Sequence, residues 1–102
     1  MRQFDVLQNP NSATRQYSPF VVVLQSHHLD PLDTIFLAPL VIDAQRQMSS
    51  LDISIEFEGR HLVLAIAEAA GVPRQGLGRA LGSVVEHEEE IRRAFDPLMT
   101  GF

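Results

Sequence analysis

The chain has 102 residues, no cysteine, and a formal charge of −5 from eight Lys and Arg against thirteen Asp and Glu. That length holds one domain and leaves a second copy room to add burial, while the acid surplus argues against direct nucleic-acid binding, which needs cations to displace counterions. Without cysteine there are no disulfides, thiolate nucleophiles or thiolate metal sites, and with no export signal at residues 1–6 or membrane-length apolar run, a cytoplasmic protein away from membranes is expected.

Residues 3–7 read as a short strand, ended by the turn cluster at 8–12 and followed by a hairpin-like connection. The β-branched run at 20–24 has no polar alternation, so it predicts a strand buried on both faces or one facing a dimer partner. A polar loop at 27–33 leads to a strand at 35–41, whose Pro39 points to an edge or a bulge. Residues 51–57 alternate apolar and polar side chains, the pattern of a strand with one wet face. Glu58, Gly59 and Arg60 form a tight turn from which residues 61–67 return antiparallel. For residues 62–70 a helix competes on propensity, since the stretch is rich in Ala and Leu and precedes Gly71. Both readings stay open. Residues 71–73 and the Gly76/Gly78 pair predict loop or irregular structure.

A helix is predicted to begin at Ser83, which forms a capping box with Glu86, and its acids lie at the positive end of the dipole. Glu88 with Arg92 and Glu89 with Arg93 are pairs four residues apart, and Val84, His87, Ile91, Ala94, Phe95 and Leu98 line one apolar stripe. Pro97 should stop or kink the helix at Asp96, because it has no amide to bond back to Arg93. Short strands followed by one helix predict a mainly β fold: a small barrel over about 1–82 with a C-terminal helix and tail over about 83–102, in a single domain spanning 1–102.

The chemistry-bearing groups are few. His27 and His28, with Asp30 and Asp33 nearby, lack ligand spacing, because neighbours on an extended chain point to opposite sides. At His87 a zinc-protease helix would need a second histidine where Ile91 stands, so His87 is expected as a core histidine bonded to a backbone carbonyl. No serine sits in a nucleophile elbow, and the glycines at 76 and 78 lack the Lys-Ser/Thr of a phosphate loop. Neither a catalytic residue, a metal nor a cofactor is expected. Arginines 74, 79, 92 and 93 could form only a local basic patch. The positive clue is the apolar segment 98–102, which either tucks onto its own barrel or supplies a contact for a partner.

Several residues in order carry a likeness over nearly the whole chain: Gln3-Phe4 with Val6, Gln25-Ser26 after a Val-rich strand, Pro39-Leu40, the hairpin around Gly59, Val72-Pro73, and the closing segment from Ile91 to Phe102. Together they resemble the CcdB toxins of bacterial toxin–antitoxin modules, small proteins that poison DNA gyrase. The resemblance implies an SH3-like barrel of the CcdB/MazF/Kid type, a homodimer, no enzymatic activity, and an antitoxin whose disordered segment wraps the toxin. In the family, a closing Trp-Gly-Ile inserts at the dimer interface of the gyrase A subunits. By position, Gly101 and Phe102 match the Gly-Ile, Met99 matches an apolar residue before the triplet, and Thr100 replaces the tryptophan. His28, Leu29 and Asp96 fall on the family's gyrase-facing surface, His28 in place of an apolar residue. Two alternatives accompany this reading. One is a homologue that binds an antitoxin without poisoning gyrase, motivated by Thr100. The other is a MazF-like ribonuclease using Arg60 or Arg74 with His61 as acid and base, which the net charge weighs against.

Overall fold

Seven short strands among the described residues, most of them alternating or wholly apolar runs, build one antiparallel sheet. The computed structural model describes residues 1–25, 33–42 and 48–100, the last four by backbone alone. Its strands are β1 (Asp5–Gln8), β2 (Phe20–Val23), β3 (Thr34–Ile42), β4 (Asp52–Phe57), β5 (Arg60–Ala65), β6 (Ala70–Pro73) and β7 (Gly82–Ser83), followed by helix α1 (Glu88–Thr100). The strand order is β4-β5-β3-β2-β1-β7, with β6 also paired to β3. Val6 stands opposite Val22, Val22 opposite Ala38, and Leu40 opposite Leu64.

The β4–β5 hairpin closes with Phe57 opposite Arg60, and both turn residues have positive φ, 53° at Glu58 and 74° at Gly59. That is the backbone of a two-residue turn matched to strand twist. Residues 62–65 are strand, and the helical alternative is confined to one 3-10 turn, Ile66–Glu68. Leu62 through Ile66 are all buried, so the run is covered on both faces and sheet pairing outweighs its helix propensity. The expected loop at 71–73 is instead part of β6, where Val72 pairs with Ile35.

Pro39 is on neither an edge strand nor a bulge. It lies inside the nine-residue β3, opposite Val21 of β2. The Leu24 amide donates to the Phe36 carbonyl at 3.0 Å, and the alternation of an antiparallel ladder then makes Val21 and Pro39 a pair without mutual hydrogen bonds. On the far side of β3, the β6 register ends at Leu37 and the β5 register begins at Leu40. The missing amide therefore faces the break between two partner strands, where it costs little.

Alternate residues separate two apolar clusters. One face carries Val6, Val22, Leu40, Ile55, Leu62 and Leu64, closed over by Ile91 and Ala94 of α1. The other gathers Leu7, Val21, Val23, Ile35 and Leu37, partly covered by Met1, Val72 and Leu77. Of the two readings for residues 20–24, burial on both faces is the one observed. The sheet curls until its end strands meet, and a Cβ on Gly82 of β7 would lie 2.7 Å from the Phe57 ring of β4. Phe57 in turn packs edge to face on Phe20, at 5.1 Å and 74°.

The helix boundaries differ from expectation at both ends. Ser83 lies in β7 and its Oγ accepts the Val85 amide at 3.1 Å, so no capping box with Glu86 forms. A 3-10 turn, Val85–His87, intervenes before α1. The amides of Leu81 and Val84 donate to the Val6 and Phe4 carbonyls at 2.7 and 2.9 Å, and this long-range pairing holds residues 81–84 in the sheet against the local cap signal. At the other end the helix does not stop at Asp96 but continues through Pro97 to Thr100. Among the described residues no helix is long and apolar enough to cross a membrane.

Candidate functional site

The charged face of α1 is self-satisfied. Arg92 bridges to Glu88 at 2.7 Å and Arg93 to Glu89 at 3.6 Å, so the acid run needs no outside ligand. On the opposite face Ile91 and Ala94 are buried, and Phe95, half-buried, sets its ring edge to face on Phe36 of β3 at 6.0 Å and 68°. Beyond that contact Asp96 is exposed, and the backbone of Met99 and Thr100 forms the last turn. Gly101 and Phe102 lie outside the described residues, as do the side chains of Met99 and Thr100.

His28 and Leu29 also lie outside the described residues, but both ends of their segment are placed. Phe36 ties the segment's base to α1 through Phe95. Next to it, the Gln25 side chain accepts the Phe36 amide at 2.8 Å, and the Gln3 side chain donates to the Leu24 carbonyl at 2.9 Å. At the returning end, the Asp33 carbonyl accepts the Arg74 amide at 2.6 Å. The segment bearing His28 and Leu29 and the tail-bearing helix thus spring from neighbouring points.

Gln3 reaches Leu24 because the chain turns sharply at Phe4, whose φ is 72°. A left-handed backbone at a bulky residue costs roughly 1–2 kcal/mol. Burial of the Phe4 ring offsets it, together with the bond from the Phe4 amide to the Val23 carbonyl at 2.7 Å. Neither the glutamine bonds nor the Phe36–Phe95 contact was read from the sequence. Both glutamines were singled out by the family likeness, but nothing in the sequence showed which backbone groups they bond.

The ribonuclease set does not assemble. Arg60 and His61 are neighbours on β5, so their side chains leave opposite faces of the sheet. The Arg60 guanidinium sits over the Phe20 ring at 5.8 Å, and His61 stands opposite Glu56. Arg74 lies past the other end of the nine-residue β3, roughly 30 Å away along the strand. His87 is not a core histidine either. It is half-buried, and its Nδ1 meets Glu90 Oε1 at 2.8 Å in place of a backbone carbonyl. Among the described residues no group of three His, Asp or Glu side chains is placed to hold a metal ion.

The second face of the sheet bears a cleft of about 290 Å³ between the loop at 9–18 and β6, floored by Val21, Leu37, Pro39 and Val41, with Tyr17 and Glu68 at its rim. Its floor comes from strands distant in sequence, so no local pattern announces it.

The model of the CcdB protein family matches residues 3–101. The chain belongs to the CcdB family, toxins of toxin–antitoxin systems. No curated protein matches its sequence. Among solved structures, the Mycobacterium tuberculosis toxin MazF-mt6 aligns with a TM-score of 0.72 at 15% identity, over 97% of this chain and 97% of that one. A crystal structure of an Mtb toxin aligns with a TM-score of 0.65 at 17% identity, over 81% of this chain and 91% of that one. At such identities the likeness is one of fold: the SH3-like barrel of the CcdB/MazF/Kid type with a C-terminal helix.

Proposed function

We propose that this CcdB family protein is a non-enzymatic inhibitor of DNA gyrase that works in the cytoplasm as a homodimer. Paired tails of Met99, Thr100, Gly101 and Phe102 engage the gyrase A subunit, flanked by Asp96, His28 and Leu29. An antitoxin with a disordered C-terminal segment releases that grip. The observation that supports this reading is the family match over residues 3–101 together with the anchoring of α1: Ile91, Ala94 and Phe95 pack on the sheet, and the helix continues to Thr100, where the tail begins.

Expression in bacteria with and without residues 100–102 tests the proposal. The full chain should arrest growth and the shortened one should not, with both purifying as soluble dimers by light scattering. Equal harmlessness of the two would refute it.

Thr100 favours a second reading, an antitoxin-binding homologue that no longer poisons gyrase. An indole at an interface centre is worth about 2–4 kcal/mol, a thirty- to thousand-fold affinity difference, and a threonine cannot replace that contact area. Purified protein that stabilises gyrase–DNA cleavage complexes would exclude this reading. Antitoxin binding without such complexes would establish it.

A further inference from the structure

We infer that the outer edge of β6 is where two copies of this chain pair, as a short antiparallel ribbon centred on Gly71, with Glu68 of each copy set opposite Arg74 of the other. The inference names the surface of the homodimer proposed above and rests on that reading for the presence of a second copy.

The direction of the β6 backbone follows from the hydrogen bonds of its neighbour. Both backbone groups of Phe36 are turned toward β2: its carbonyl accepts the Leu24 amide at 3.0 Å, and its amide donates to the Gln25 side chain at 2.8 Å. Alternation along β3 then turns Ile35 and Leu37 toward β6, where they stand opposite Val72 and Ala70. The Arg74 amide, bonded to the Asp33 carbonyl at 2.6 Å, continues the same alternation. Gly71 lies between the bonded positions, so its amide and carbonyl point away from β3. Among the described residues β6 pairs with no strand but β3, and Ala70, Gly71 and Pro73 are exposed. An edge of this kind is a template for another strand.

The sequence about Gly71 fits a copy of itself. With a two-fold axis at Gly71, the two glycines exchange amide and carbonyl, Ala70 faces Val72 of the second copy, and Glu68 faces Arg74 of the second copy, an acid against a base on both sides of the axis. Moving the axis by one residue, to Ala70 or Val72, would set Glu68 against Val72 or Arg74 against Ala70, and the charge match would be lost. The ribbon is also bounded, because Pro73 has no amide and the Ala69 amide is already bonded to the Ile66 carbonyl at 3.1 Å. The two-fold axis between antiparallel strands runs perpendicular to the sheet, so both copies present the same face on the same side. Gly71 stands opposite Phe36, whose ring meets Phe95 of α1. The two helices therefore lie on one side of the joined sheet.

A Cβ on Gly71 would lie 2.9 Å from Thr34 Cγ2, so its own chain also demands the glycine, and the charges are the place to test. Glu68→Arg and Arg74→Glu should each weaken self-association by roughly 5- to 50-fold at low salt, since each turns the attractive pairs repulsive. The variant carrying both changes should recover wild-type affinity. Mixed in equal amounts, the single variants carry arginine at both positions in one chain and glutamate at both in the other. They should form the heterodimer in preference to either homodimer, read by native mass spectrometry with one chain isotope-labelled. An ion pair between Glu68 and Arg74 inside one chain would not produce that preference. In the wild type, amide exchange at Gly71 should slow as protein concentration rises through the dimer dissociation constant, while exchange at Gly59 in the β4–β5 turn stays constant. A statistical mixture of dimers, or Gly71 exchange independent of concentration, overturns the ribbon and leaves a homodimer through another surface. A wild-type chain that stays monomeric in light scattering overturns the ribbon and the homodimer together. Heterodimer preference in a protein harmless to bacteria refutes the gyrase reading and leaves the ribbon standing.

Discussion

Pro97→Ala should tighten the last turn of α1 by an amount that can be worked out from its position. Pro97 lies inside a thirteen-residue helix that runs from Glu88 to Thr100. An interior proline costs about 3 kcal/mol through the lost bond and the clash with the carbonyl four residues back, here that of Arg93. The full cost does not apply so near an end. Unwinding residues 97–100 forfeits the amide bonds of Leu98, Met99 and Thr100, each worth about 1 kcal/mol net, and releases backbone entropy of roughly 1 kcal/mol per residue. The last turn is therefore close to balance, and restoring the amide and relieving the clash should raise the free energy of opening it by about 1–2 kcal/mol. Native-state hydrogen exchange reads this directly: protection at residues 98–100 should rise by roughly 5- to 30-fold, while the amides of β3 and β5 exchange as before. If protection at 98–100 is unchanged, the turn is not limited by Pro97 and the account of the helix end fails. The same variant bears on function, because a tail that must adapt to a partner should bind more weakly once stiffened, and one that must be rigid should bind more tightly.

Gly82→Ala should destabilise the fold by about 1–3 kcal/mol in urea unfolding, since its Cβ would lie 2.7 Å from the Phe57 ring, whereas Gly78→Ala, with nothing within 4 Å, should not. Asn9→Ala should cost about 1–3 kcal/mol and lower the thermal midpoint, because the buried Asn9 amide donates to the Ser18 carbonyl at 2.7 Å and to Thr14 Oγ1 at 2.9 Å. No loss there would mean that the loop at 9–18 is held by other contacts. Thr100→Trp should raise affinity for a gyrase A fragment by roughly thirty- to a thousand-fold and sharpen growth arrest. Unchanged affinity would argue that the tail is not the contact.

Local chemistry was legible wherever it alone decides. The period-two pattern of residues 51–57 and the Glu58-Gly59 turn produced β4 and its hairpin as expected. The pairs Glu88–Arg92 and Glu89–Arg93 formed on α1 as their spacing requires. Signals failed where a distant strand decided instead. Ser83 has the chemistry of a helix cap, but the bonds of Leu81 to Val6 and of Val84 to Phe4 kept it in the sheet. Residues 71–73 look like loop until β3 offers them a register, and Pro39 looks like an edge or a bulge until the break between β5 and β6 removes the demand for its amide.

The same division runs through the site. Phe95 was readable as a member of an apolar stripe, because helix period is local, but what it meets was not, because Phe36 lies on a strand far back in the chain. Gln3 and Gln25 stood out in the sequence as part of the family likeness, but not for the bonds they make. Their role depends on a ladder opened at Leu24 and Phe36, which exists only once β2 and β3 have paired.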